Sequence, residues 1–580
     1  MFGHSSKFLF KGGSSSRRDF LQFAANFGTA SALAQQTAPA SLVPDNWQRL
    51  FDTPAFVFVE QDSRSGFQKA DRTGNRFTYN TISITVDQTH SGQDVRASAP
   101  HGPLSRVVLR WEVTFPSDTL YLGDAWERSY GDLQWRFLQP ERVMAWYFAA
   151  YHNDAGLFSI GVKTQPGALC CWLVDGEGVS LWLDFRNGGS PVLPGDGEIR
   201  AATIVAAQAP RDQTPASALR DFCSQLCATP RLPKAPICGN NNWYYAYGRD
   251  FDAAAMVRDA QFLSELAEGN RNRPFCVVDA GWTPGSVCPG GPWRSGDPRR
   301  FPDMPDLAQK MRALGVRPGI WMRPTALTIV DNPARLRKGP VHVDEKPLDL
   351  TMPENLSLIH DDVARIRSWG YELIKHDFST YDIFGRWGFE MGVEMTDPGW
   401  HFQDQSLTNA EIILRLYQTL RAAAGDAILL GCNTVGHIGA GLFEANRTGD
   451  DTSGHNWERT RRMGVNTLAY RMCQNGTFFA CDPDCAAHTS LTPWDLDRQY
   501  LELVSKSGTV LFISADPRSI TDEQKTAFRT AVQTALSSSS YVSCEPVDWL
   551  HSTTPRAWRF GAKQEQFRWE SASGVNPMDI

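Results

Sequence analysis

Several chemistries are excluded by what this sequence does not contain. Beyond the N-terminal segment there is no basic stripe, and the formal net charge is −7. Neither a nucleic-acid groove nor binding to an anionic membrane surface is expected. No membrane span is expected: the apolar stretch that ends at Ala34 is too short and too polar to cross a bilayer. None of the 12 cysteines has the paired C-x-x-C spacing of a structural zinc site. Cys170 and Cys171 are adjacent, Cys223 and Cys227 lie at helical spacing, and Cys481 and Cys485 flank an acidic turn. Most read as buried thiols acting as small hydrophobes. Metal-binding triads of histidine are absent, and no phosphate-cradling glycine loop follows a strand. The expectation is therefore no metal and no organic cofactor, and a neutral or weakly polar small substrate.

What the sequence does contain is tryptophan, 19 residues of it, in a chain 11% aromatic. Flat aromatic faces suit the C–H faces of sugars, although a large β-rich core uses tryptophan as well. At 580 residues the chain exceeds one compact core, so two or more domains are expected. Residues 1–34 carry Arg17-Arg18-Asp19-Phe20-Leu21, then an alanine-rich stretch ending Ala32-Leu33-Ala34. This order of charge, apolar run and small residues resembles a twin-arginine export signal. It implies a mature chain from Gln35 in the periplasm or outside the cell.

Two regions follow, with different rhythms. From 45 to 225 short β-prone runs such as Phe56–Val59, Thr78–Val86, Val107–Val113, Val179–Phe185 and Ala202–Ala206 are separated by Gly, Pro, Asp and Asn clusters. That spacing predicts an antiparallel β-sandwich. From 236 to 538 the rhythm is strand, loop, helix. Eight candidate strands are Asn241–Tyr245, Phe275–Asp279, Arg317–Met322, Glu372–Asp377, Ala427–Gly431, Phe443–Thr448, Thr477–Cys481 and Thr509–Ile513. Helical patterns at Ala253–Ala267, Pro305–Leu314, Leu356–Trp369, Asn409–Ala423 and Asp495–Ser507 lie between them. The expected architecture is multidomain: an N-terminal β-sandwich, then a (β/α)8 TIM barrel, with a short C-terminal β-rich segment at 539–580.

In such a barrel the chemistry sits at the C-terminal ends of the strands. The polar residues there are Asp279, Arg323, Lys375, Asp377, Cys432, Asn433, Arg447, Asp450, Asp451, Asp482 and Asp484. Carboxylates dominate. In Leu373-Ile-Lys-His-Asp-Phe378, alternation puts Lys375 and Asp377 on one side of the strand, where an ammonium would keep a nucleophilic carboxylate ionised. A structural ion pair at the rim explains the pattern equally well. In Arg447-Thr-Gly-Asp-Asp451, repulsion between adjacent carboxylates would hold one protonated, as a general acid requires. The competing reading is that one aspartate starts the helix through Trp457. His376 and His455 read as hydrogen-bonded rim histidines, and Asp482-Pro483-Asp484 as a structural turn.

At these residues the chain resembles clan D of the glycoside hydrolases, the α-galactosidase group of families 27 and 36. The family's Lys-x-Asp nucleophile motif corresponds to Lys375-His376-Asp377, and its Arg-x-x-x-Asp acid/base motif to Arg447 through Asp451. Leu348–Glu354, Gly319–Met322 and Phe479–Asp484 agree in their order along the barrel. An N-terminal sandwich is consistent with family 36. The resemblance implies a retaining α-glycosidase without cofactor, with Asp377 as nucleophile and Asp451 as acid/base. Asp279, Lys375, Cys432, Asn433, Arg447 and Asp450 would line the sugar site, with Trp282 or Trp321 as a stacking wall. Three positions depart from the family pattern. Ala280 replaces the second of two aspartates, Arg323-Pro324 replaces Glu-Pro, and Cys432-Asn433-Thr434 replaces a glycine-rich loop. The alternatives these leave open are an N-acetylgalactosaminidase or other altered-sugar exo-glycosidase, a transglycosylase of the raffinose-synthase type, and a non-catalytic glycan-binding protein.

Overall fold

The computed structural model describes residues 46–139, 145–285, 287–342, 345–392, 394–537 and 544–576. The export signal expected at 1–34 lies outside them.

Residues 56–208 form one 14-stranded antiparallel sheet. The strands alternate as expected of a half-buried sheet: Ile82–Thr89 buries Ile82, Ile84 and Val86 and turns Ser83 and Thr85 outward. The strands join in one connected sheet: twelve make a single path, and Leu120–Asp124 and Arg136–Phe137 branch from it at Ala145–Asn153. Arg72 donates to the carbonyl of Pro54, and Asn80 Nδ2 donates to Gln61 Oε1 at 3.2 Å, which ties the far strands to the first ones. The run from Thr78 to Val86 is a hairpin, because Asn80 takes a left-handed turn conformation (φ 52°) between two strands.

Residues 238–514 form an all-parallel sheet. Its strands are Cys238–Asn241, Phe275–Val278, Arg317–Met322, Leu373–His376, Ile428–Gly431, Ala445–Arg447, a seventh split into Ala480–Asp482 and Cys485–Ala487, and Leu511–Ser514. The sixth strand pairs with Ala480–Asp482 and the eighth with Cys485–Ala487, so Pro483 and Asp484 close the ring within one strand position. Asp484 turns the chain with φ 70°. Val510 N–H also donates to Cys481 O at 2.9 Å, tying the eighth strand to the first half of the seventh. Eight strand positions in a ring fit a TIM barrel. Most of these strands are four-residue runs buried at every position, as parallel strands covered on both faces must be. The long intervening helices are amphipathic, and three of them carry side-chain N-caps. Asp252 accepts from Ala255 N–H, Asp303 from Asp306 N–H, and Thr408 with Glu411 forms a reciprocal capping box.

The first strand lies three residues earlier than the β-prone Asn241–Tyr245 suggests. Asn241 Oδ1 accepts from Trp243 N–H at 2.9 Å and ends the strand, and Trp243–Ala246 coils into one helical turn. Side-chain chemistry at Asn241 overrides the β propensity of the aromatics. Cys432–Gly441 holds only the turn Gly436–Gly439, in line with its glycine content. Cys544–Pro546, Ala557–Phe560 and Lys563–Gln566 form a small antiparallel sheet. It is anchored by Trp457 Nε1, which donates to Trp569 O at 2.7 Å. All 12 cysteines are free thiols, and 11 of them are buried.

Candidate active site

The ends of the second, fourth and sixth barrel strands bring their polar residues to one mouth. Asp279 and Lys375 meet there: Lys375 Nζ donates to Asp279 Oδ2 at 2.8 Å, with both side chains buried. Asn241 Nδ2 donates to the same oxygen at 2.5 Å, and Ala280 N–H to the other at 2.7 Å. Burial acts to deprotonate Lys375, but the acidic groups around it, Asp279 foremost, together outweigh it and hold the ammonium well above the usual lysine range.

Lys375 therefore pairs with Asp279, not with Asp377. The strand ends at His376, and Phe378 adopts a left-handed backbone (φ 64°), so alternation no longer governs Asp377. A non-glycine residue in this region costs about 1 kcal/mol or more and is held by its surroundings. Asp377 is partly exposed and makes no ion pair among the described residues. Its two oxygens accept from Trp321 Nε1 (3.1 Å) and from Phe378 N–H (2.8 Å), which fixes the carboxylate plane. Trp321 and Trp282 are buried and form no stacking wall. Trp321 supplies a donor to Asp377. Trp282 packs on Trp293 (5.3 Å between ring centres) and donates to Trp321 O at 2.9 Å, which steadies the third strand.

After the sixth strand the two adjacent aspartates diverge. Asp450 is bound by Arg128 (2.7 Å) and Arg459 (2.6 Å). Asp451 is more open, its side chain 37% exposed, with Arg447 at 3.3 Å. Burial acts to raise the Asp451 carboxyl, but Arg447, Arg128, Lys375 and Arg459 together pull it down to about 2. This reverses the expectation of a carboxyl kept protonated by its neighbour, because each aspartate has its own arginine. Neither starts the next helix. Asn456 caps Trp457–Thr460 by accepting from Arg459 N–H.

Arg447 is wholly buried. It donates to Asp484 at 2.8 Å and to Cys432 Sγ at 3.4 Å, and Thr452 N–H donates to the same Asp484 oxygen at 2.8 Å. The Asp-Pro-Asp turn is thus structural, orienting the arginine that faces Asp451. Asn433 is also consumed internally: Oδ1 accepts from Tyr381 N–H (3.0 Å) and Nδ2 donates to Glu127 (2.9 Å). Arg323 is buried against Asp382 and Glu345. His376 is buried on Phe443, and burial drops its pKa to about 3, leaving it neutral, while His455 is exposed and lies over Tyr247 at 4.4 Å. No cluster of metal-ligating side chains occurs among the described residues.

Three participants were not legible in the sequence. Arg128 comes from the antiparallel sheet region, where Ser129 adds to the sixth barrel strand: its N–H donates to Thr448 O at 2.9 Å, and Asp450 N–H donates to Ser129 O at 2.8 Å. Glu127, beside it, is buried between Thr380, Tyr130 and Asn433, and that burial pushes its carboxyl up. Cys288, in the loop after the second strand, is the cysteine that is not fully buried, and the charges of Asp377, Asp279 and Asp451 all reach it. No local pattern marks the contacts that Arg128 and Glu127 make with the far end of the barrel chain.

No protein-family model and no curated protein sequence matches the chain. Solved structures do. An α-galactosidase from Thermus thermophilus, in complex with p-nitrophenyl α-D-galactopyranoside, superposes with a TM-score of 0.57 at 18% identity, covering 85% of this chain and 99% of that one. The fold is that of the family 36 α-galactosidases. A family 36 α-galactosidase from Geobacillus stearothermophilus in complex with raffinose gives a TM-score of 0.56 at 13% identity, over 88% of this chain and 79% of that one. An α-galactosidase from Lactobacillus brevis gives 0.55 at 14%, over 84% and 73%.

Proposed function

We propose that the chain is a retaining α-glycoside hydrolase of the α-galactosidase kind, with Asp377 as nucleophile and Asp451 as acid/base. One observation carries this reading. Of the carboxylates at the mouth, Asp279, Asp382, Asp482 and Asp484 are buried, and Asp450 is held by two arginines, whereas Asp377 and Asp451 reach solvent. In this reading Asp377, aligned by Trp321 and Phe378, attacks the anomeric carbon through an oxocarbenium-like transition state. Asp451 protonates the departing oxygen and then takes a proton from water, releasing the sugar with retained configuration. The arginines favour the carboxylate form that the second step needs. The first step draws on the burial that a bound glycoside adds, which already acts upward on this group. Asp279 and Lys375 form the polar floor that receives ring hydroxyls.

The solved neighbours contain p-nitrophenyl α-D-galactopyranoside, stachyose and raffinose, which makes α-galactosides the first substrate class to try. Ala280, buried where the resembled family carries a second aspartate, favours an altered sugar as the second reading. The twin-arginine pattern adds the proposal that the enzyme works in the periplasm or outside the cell. The test is turnover of 4-nitrophenyl α-galactoside, N-acetylgalactosaminide, glucoside, xyloside and fucoside and of the β-L-arabinopyranoside. Asp377→Ala is expected to abolish turnover of whichever is cleaved, and azide to restore part of it. Full activity in Asp377→Ala would sink the assignment.

A further inference from the structure

The thiols are not spread evenly through the molecule. The helix Pro215–Leu226 leads from the antiparallel sheet into the barrel, and it packs along the short turn Met472–Gln474. Ala216, Ser217 and Arg220 of that helix face Met472 and Cys473 across a pocket of about 250 Å³, which Cys544 also lines. Cys223 follows Arg220 by three residues, so it lies on the same face of the helix. Its thiol is in hydrogen-bonding contact with the Cys473 thiol. Cys223 is wholly buried, whereas Cys473 borders the pocket. Burial holds the Cys223 thiol well above the usual thiol range, so it stays protonated. Among the described residues these cysteines do not converge with other ligands on a common centre, as metal binding needs.

We propose that Cys223 and Cys473 are a disulfide site: in an oxidising compartment they join and clamp the helix Pro215–Leu226 to the barrel. The inference stands apart from the sugar chemistry, and the export proposed above would bring the chain to such a compartment. The oxidant is an external disulfide of the glutathione class. Cys473, at the pocket wall, attacks one of its sulfurs as the thiolate and expels the first glutathione thiolate. Cys223 then gives up its proton and attacks the Cys473 sulfur of the mixed disulfide, expelling the second. Two thiols of the chain are oxidised to one disulfide, one glutathione disulfide is reduced to two glutathiones, and the two protons end on those. Arg220 lines the pocket, and its positive charge favours the approach of an anionic oxidant. The bond has a consequence at the mouth. Arg471, two residues before Cys473, donates to Asp124 (2.8 Å), to Thr448 O (3.1 Å) and to Glu127 O, and Gln474 Nε2 donates to Asp124 at 2.8 Å. The turn that carries Cys473 therefore also holds residues 124–128 against the sixth barrel strand. Fixing that turn to the helix secures the segment that brings Arg128 to Asp450.

The experiment takes the full chain, reduces it, equilibrates it with glutathione disulfide, alkylates it under denaturing conditions and digests it without reduction for mass spectrometry. Two of the 12 cysteines should escape alkylation, and one linked peptide pair should join Cys223 to Cys473 and disappear on reduction. Closing so long a loop should raise Tm by roughly 2–3 °C over the reduced chain. In Cys473→Ser the oxidised and reduced chains should melt together. Alkylation of all 12 cysteines after oxidation, a glutathione adduct that persists on Cys473, or linkage of Cys473 to Cys481 or Cys544 would overturn the site. An oxidised chain no more stable than the reduced one would overturn the clamp. The peptide map is read on wild type, so it decides the pairing even where Cys473→Ser fails to fold. None of these readouts uses turnover, so the result holds whether or not the chain cleaves a glycoside.

Discussion

Lys375→Met tests the buried pair at the floor of the site. Lys375 Nζ and Asp279 Oδ2 lie 2.8 Å apart, with side chains 9% and 3% exposed. Removing the ammonium leaves Asp279 ionised in a nearly dry position with two neutral donors, Asn241 and its own Ala280 N–H. Stripping one partner from a buried ion pair costs about 3–5 kcal/mol, most of it the uncompensated charge left behind. At an unfolding entropy of about 2.1 cal/mol/K per residue, a chain of 580 residues changes by roughly 1.2 kcal/mol per degree. The loss therefore lowers Tm by roughly 3–4 °C in a calorimetric scan. Adding Asp279→Asn removes the orphaned charge, so the double variant should recover most of the Tm while remaining inactive, the outcome that the proposed sugar-binding role of the two residues requires. A Tm unchanged in Lys375→Met, or one that falls further in the double variant, would refute the reasoning. Recovered activity in the double variant would remove these two residues from the sugar site.

Asp450→Asn should keep far more turnover than Asp451→Asn, which loses about 10²–10⁴-fold as a missing acid/base does. The same Asp450→Asn leaves the buried Arg128 without its carboxylate and should lower Tm by roughly 2–3 °C. Arg128→Met removes one of the cations that hold the Asp451 carboxyl at about 2, so its pKa rises and the alkaline limb of kcat/KM moves to higher pH; a limb that stays in place separates Arg128 from Asp451. Burial pushes the Asp482 carboxyl up to about 6. A carboxyl raised on folding adds stability that is complete below its ordinary range near pH 4 and is lost as pH climbs through 6. Asp482→Asn should therefore raise Tm at pH 7.5 and leave it unchanged at pH 4, measured in matched buffers.

The barrel was legible because its signals are local. Arg317–Met322 forms a strand at the residues its pattern marks, and Asn409–Ala424 runs one residue beyond its apolar periodicity, with a Thr408–Glu411 box that any reader of the chain can see. Strand ends follow from strands, so Asp377, Asp451, Asp279, Lys375 and Arg447 could be named as neighbours at one mouth. The strand order of the antiparallel half was not legible. It depends on which edges meet, and that is a property of pairing at long range.

Sequence order thus settled which side chains the barrel presents, since backbone direction and a repeat of strand and helix carry each strand end to the same face. It could not settle which charge neutralises which. Lys375 pairs with Asp279 rather than Asp377 because the ring sets the second and fourth strands across the same interior, while Phe378 swings the chain away. Asp450 and Asp451 part because Arg128 arrives from the other sheet, more than 300 residues earlier in the chain. Electrostatic partners are chosen by distance in space, and only the folded chain fixes that distance.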